Sequence, residues 1–150
     1  MGDPITYRDA TEAESAQVLK AARAYLGTSY ETIGFCDGLV CKAIRDSVNK
    51  TFPLHGTVGF LIKDPGLRLL SADETERAGD VMVWGTNHMG FLDPNPSAGV
   101  PKNYTALSAR GRPGGKNNPG VAYGLPEWFH PQPATFWRVR VPCIPNAPGK

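Results

Sequence analysis

The helix breakers in this chain are unevenly placed, and that limits its fold more than any other feature. Eleven of the 14 prolines lie after residue 93, together with seven of the 17 glycines. A proline fixes φ and removes a backbone donor, so a segment that carries one every few residues cannot build a long helix. Helices are therefore expected in the first half, and short strands and loops in the second.

Hydrophobic periodicity gives the same division. Residues 11–26 read as a helix: Thr11 and Glu14 form a T-x-x-E capping box, Val18 and Tyr25 supply an apolar side among alanines, and Gly27 follows as a C-terminal cap. TSYETIGF (28–35) reads as a loop. A second helix is expected from about Cys36 to about Asn49, because Leu39, Val40, Ala43, Ile44 and Val48 recur at helical spacing. A short helix or turn covers 57–63, before Asp64-Pro65-Gly66. Strands follow: VMVW (81–84) after a Gly79-Asp80 turn, HMGFL (88–92) after a tight Thr86-Asn87 hairpin, YTALSA (104–109), GVAYG (120–124) and the alternating TFWRVRV (135–141). Two breaker-rich loops, 93–103 and 110–119, separate them. No repeat or linker divides the 150 residues. The expectation is one α+β domain, with N-terminal helices packed on an antiparallel sheet of about five strands.

A net charge of +2 does not argue for nucleic acid as the main partner. No apolar run approaches the roughly 20 residues of a membrane span, so no membrane partner is expected. The N-terminus lacks the basic and apolar regions of a Sec-type signal. Its loose match to a myristoylation pattern is set aside, because the pattern is short and Asp3-Pro4 follows Gly2. Three cysteines, Cys36, Cys41 and Cys143, make an odd count without regular spacing, so at least one thiol is free. A zinc site from Cys36, Cys41, His55 and His88 would lack any paired ligand spacing, and His55 and His130 have proline or glycine neighbours. Neither metal nor cofactor is expected.

Two stretches carry chemistry. YETIGFCDGLV (30–40) puts Cys36 at the junction of a loop and an amphipathic helix. The first helical turn offers unpaired N–H groups and the positive end of the macrodipole, which lower a thiol pKa and can donate to an oxyanion. Gly38 permits close approach of a backbone or a substrate. A plain buried thiol is the competing reading of Cys36, and it is the favoured reading of Cys41 and Cys143. AGDVMVWGTNHMGFLD (78–93) reads as turn, strand, hairpin and strand, with His88 opening the second strand. A sheet can hold such a histidine rigidly enough for general-base work. A cysteine at a helix start upstream and a histidine in a sheet downstream divide the labour as cysteine hydrolases do.

These residues resemble the NlpC-type peptidoglycan endopeptidases, a papain-like family. FCDGLV is similar to that family's DCSGLV, LGTSY to the L-G-x-x-Y before it, and AGDVMVWGTNHMGFL to its P-G-D strand followed by H-V-G-I-Y. YTALSARGRPGGKNNPGVAYG resembles its next strand and hairpin, so that order and spacing agree from about Ala16 to Val141. The resemblance implies Cys36 as nucleophile, His88 as its base, and Tyr30 with its hydroxyl near the oxyanion site. The third position, which orients the imidazole, falls on Ser108. Phe35 and Asp37 depart from the usual Asp and Ser around the cysteine, and Asp37 would oppose a low thiol pKa. It would instead accept bonds at the helix start or bind a cationic substrate group. Ser108 is a weak orienter, with Asn103, Asn117 and Asn118 as substitutes. Arg110 opens a basic loop running to Lys116; a solvated loop is the favoured reading, and a rim that attracts substrate carboxylates is the competing one. Trp84, Trp128 and Trp137 pack the core or line the groove, with Trp128 and Phe129 the better groove candidates.

The resemblance implies cleavage of an amide in peptidoglycan stem peptides, at the bond between D-glutamate and the diamino acid. It also implies a toxin brought to the cell wall of a target cell by another machine, such as a type VI secretion amidase effector, with an immunity protein and secretion machinery as partners. A phage lysis protein or a domain of a longer chain fits as well. Acyl transfer or deamidation on the same fold, or an inactive wall-binding module, are the rival functions.

Overall fold

The first helix, α1 (Glu12–Arg23), begins where the T-x-x-E pattern puts it. Thr11 Oγ1 accepts from the Glu14 N–H at 3.1 Å, and Glu14 Oε1 accepts from the Thr11 N–H at 2.9 Å. The structure is a computed structural model, described for residues 5–110, 120–128 and 133–143. α1 ends three residues before the expected boundary. The N–H groups of Tyr25 and Leu26 donate to carbonyls three residues back, which tightens the chain into turns. Gly27, with φ of 87°, then leads into a pairing with strand β6 (Gly120–Gly124), where its N–H donates to the Val121 carbonyl at 3.0 Å.

The stretch expected to be a loop at 28–35 contains a one-turn helix, α2 (Tyr30–Ile33), because Ser29 caps it by accepting from the Thr32 N–H. The second long helix, α3 (Phe35–Ser47), starts one residue before Cys36, and a short α4 (Val58–Leu61) follows. The strands β3 (Val81–Trp84), β4 (His88–Leu92), β5 (Ala106–Arg110) and β7 (Thr135–Cys143) join β6 in one antiparallel sheet. Two strands were not expected, β1 (Thr6–Asp9) and β2 (Leu67–Leu69). Both pair with β7, whose nine residues bond β3 along 135–137, β2 along 137–139 and β1 along 140–143. The result is an α+β fold with an open seven-stranded antiparallel sheet, ordered β1-β7-β3-β4-β5-β6 with β2 also on β7.

Strand alternation decides which residues meet the helices. Val83, Met89, Phe91, Leu107, Ala109 and Val139 share one core with Val18 and Ala22 of α1 and Leu39, Val40 and Ile44 of α3. Met82, Trp84 and Ala106 form a smaller cluster on the other face. Ion pairs pin the layers. Asp93 is fully buried and accepts from Arg23 Nε and Nη2 at 2.9 and 2.8 Å and from the Tyr123 hydroxyl at 2.7 Å. Asp80, also fully buried, accepts from Arg138 Nε at 2.7 Å, Arg138 Nη2 at 3.1 Å and the Arg77 N–H at 2.8 Å.

Gly38 shows how closely α2 and α3 meet. A Cβ there would lie 2.1 Å from the Ile33 carbonyl oxygen, which is backbone and cannot swing aside. The close approach foreseen at Gly38 is thus to the chain itself. Gly38→Ala is expected to cost about 1–3 kcal/mol, the usual penalty for overpacking, read as a lower urea midpoint at an unchanged slope.

Candidate active site

Cys36 occupies the first turn of α3, which the chain enters through two left-handed residues in succession. Gly34 has φ of 89°, and Phe35 has φ of 71°, the one positive value at a non-glycine among the described residues. Such a backbone costs Phe35 of order 1–2 kcal/mol. Its ring is half exposed to solvent and tilts against Tyr30 with centroids 5.1 Å apart. The strain is stored beside the thiol, and it sets the direction in which the helix starts.

The thiol is buried, with 7% of the residue exposed. Burial pushes its pKa above the ordinary value, and the Asp37 carboxylate adds to the rise. Three backbone N–H groups act the other way by favouring the thiolate: those of Met89, Asp37 and Cys36 itself. The sequence led to the expectation of a depressed pKa from the helix start; here burial outweighs those N–H groups. The Met89 N–H belongs to the residue directly after His88, so the thiol lies against the start of β4. Tyr30 is half-buried nearby, and burial together with the charge at Cys36 raises its pKa.

His88 pairs across the hairpin with Trp84, their rings 5.3 Å apart. β4 and β5 pair at Phe91 with Leu107 and Leu92 with Ala106, and Arg110, farther along β5, is close enough for its charge to act on His88. Burial first, and then the charge of Arg110, lower the His88 pKa to about 4. At neutral pH Cys36 therefore rests as a neutral thiol and His88 as a neutral imidazole. Chemistry from that state needs His88 to take the proton while the sulfur attacks, rather than a preformed thiolate–imidazolium pair.

A reactivity profile checks this. A raised thiol pKa leaves less thiolate at pH 7, so alkylation of Cys36 by iodoacetamide should be slow there and climb steadily as pH is taken above 9. Mass spectrometry of the intact protein reads the rate. A plateau beginning near pH 6 would mean that the thiolate is stabilised after all.

Ser108 lies on the face of β5 opposite Leu107 and Ala109, as strand parity requires. Its hydroxyl is buried and makes no hydrogen bond, so the bond expected of an orienter is not formed. Ser108 stands over Gly90 instead, where a Cβ would come within 2.6 Å of the Ser108 Cβ. Asn103 sits on an exposed turn, and Asn117 and Asn118 lie outside the described residues, as do Phe129, His130 and the basic loop beyond Arg110.

Asp37 accepts from the Gly56 N–H at 3.3 Å, so its carboxylate ties the start of α3 to the following loop. It also lines an open cleft of about 590 Å³ with Phe35, Lys42 and His55. Trp84 is only 1% exposed and packs beside His88, so it supports the hairpin and is not available to grip a substrate from an open groove. Arg110 and Trp128 do meet, with the guanidinium 5.1 Å from the indole centroid. Tyr104 joins them edge-on at 5.0 Å, a neighbour that spacing along the chain did not point to. Among the described residues no three His, Cys, Asp or Glu side chains gather to hold a metal, and no helix is long and apolar enough to cross a membrane.

The fold and site define an α+β domain in which a helix-start cysteine abuts the strand that carries a histidine. No family model, curated protein or solved structure matches the chain.

Proposed function

We propose that this protein is a papain-like cysteine hydrolase of the NlpC type that cleaves an amide in peptidoglycan stem peptides. The observation that supports the proposal is the packing of α3, whose first turn carries Cys36, on β4, the strand that His88 opens, with Tyr30 on the one-turn helix α2 just before α3. In this reading Cys36 attacks the carbonyl and His88 takes the thiol proton. The tetrahedral oxyanion draws on the N–H groups of the first turn of α3 and on Tyr30. His88 then returns the proton to the leaving amine, and water resolves the thioester. The bond would be that between D-glutamate and the diamino acid. The protein would act in the cell wall of a target cell as a delivered antibacterial toxin.

The test is clearing of purified sacculi by the wild type beside Cys36→Ala, with product masses naming the bond. A second reading, an inactive wall-binding module, is favoured by one feature. The charge of Arg110 acts on His88 and disfavours the protonated imidazole that the hydrolase reading needs. Binding to sacculi with no release of peptide, equal in wild type and Cys36→Ala, would select that reading.

A further inference from the structure

Arg110 lines a pocket of about 420 Å³, large enough for a small peptide fragment. Its walls include Tyr104, Trp128, Val100, Ser97 and Tyr123, and none of its described lining residues carries a carboxylate. Arg110 is the one charge among them. Its Nε is buried without a hydrogen-bond partner, and no described Asp or Glu forms an ion pair with it. Arg23 and Arg138 face the carboxylates of Asp93 and Asp80; Arg77 and Arg140 also bury an Nε without an acceptor, but their Nη2 atoms donate to the carbonyls of Ala10 and Tyr7. Burial without a counter-charge is costly, and it lowers the Arg110 pKa. The indole of Trp128, 5.1 Å from the guanidinium carbon, attracts the charge but does not neutralise it.

We propose that this pocket binds a free carboxylate of a short peptide, with Arg110 as the counter-ion and the Trp128–Tyr104 wall packing the carbon chain beside it. A guanidinium donates two parallel N–H bonds to a carboxylate, a match that a stacked, preoriented arginine makes at little entropic cost. Arg110 is close enough to His88 for its charge to act on the imidazole, so a ligand anchored there sits near the β4 hairpin. The identity of the ligand as a stem-peptide carboxylate rests on the hydrolase reading; the carboxylate preference itself does not.

The test uses the full chain carrying Cys36→Ala, so that nothing is turned over. Titration calorimetry compares N-acetyl-D-glutamate with its uncharged diamide, and inorganic phosphate serves as a second anion. The acid is expected to bind at least tenfold tighter than the diamide and than phosphate, and to weaken as salt is raised. Adding Arg110→Gln should abolish the preference, and Arg110→Lys should keep part of it. The comparison of acid with diamide needs no change at Arg110, so a poorly folding variant does not spoil it. Equal binding of acid and diamide, or of acid and phosphate, would overturn the proposal, as would an undiminished preference in Arg110→Gln. Tight acid binding in a protein that never clears sacculi supports the pocket and removes the hydrolase reading. Clearing of sacculi without any acid preference does the reverse.

Discussion

Cys36→Ala is expected to abolish sacculus clearing, a loss of at least about 10³-fold, while leaving the fold intact. The alanine fills most of the thiol's volume, and the sulfur holds no structural bond beyond the backbone N–H groups around it. His88→Ala should cost about 10²–10⁴-fold, since a neutral thiol with a raised pKa depends on a base more than a preformed thiolate does. For the same reason wild-type kcat/KM should fall as pH drops through about 4, where His88 becomes protonated. Ser108→Ala should change clearing by less than about threefold, because its hydroxyl makes no hydrogen bond. Turbidity at matched protein concentration, with circular dichroism of each variant, reads all four results. Full clearing by Cys36→Ala would sink the covalent mechanism. A strong loss in Ser108→Ala would restore that residue as the orienter.

Asp80→Ala is expected to be the most destabilising single change in the sheet, at about 3–5 kcal/mol. Asp80 is completely buried and accepts from Arg138 Nε and Nη2 and from the Arg77 N–H. Removing it strands the Arg138 guanidinium, itself only 9% exposed, at the junction of β3 and β7. The cost is mostly that of an uncompensated buried cation rather than of a lost attraction. The double variant Asp80→Leu with Arg138→Met should therefore be more stable than Asp80→Ala alone. Urea titration reads both, with the Asp80→Ala midpoint falling by about 1–3 M. A double variant no more stable than the single would mean that the pair's attraction exceeds its desolvation.

Much of the fold could be read from local chemistry. The capping box at Thr11 and Glu14, the apolar stripe of α3 and the strands at 81–84, 88–92 and 120–124 are set by neighbours within a few residues. The shortfall at the end of α1 and the single turn of α2 are small corrections, since caps and i+3 bonds compete closely at helix ends. β1 and β2 were not legible. TYRD and LRL are three or four residues long, mostly exposed or half-exposed, and have strand form only because β7 offers them partners.

The candidate site divides in the same way. The residue types and order of Tyr30, Cys36 and His88 suggested a nucleophile and a base before any geometry was known. Register and burial decided the rest, and neither exists in an isolated segment. Only the packing of α3 on β4 buries the thiol enough to raise its pKa against the pull of a helix start. Only the pairing of β4 with β5 brings the charge of Arg110 to His88 and leaves Ser108 standing over Gly90. Sequence by itself determined which side chains can do chemistry and where helices and central strands begin, because those follow from side-chain type and short-range periodicity. Tertiary structure alone decided their charge states and partners, because desolvation and cross-strand contact depend on residues far apart in the chain.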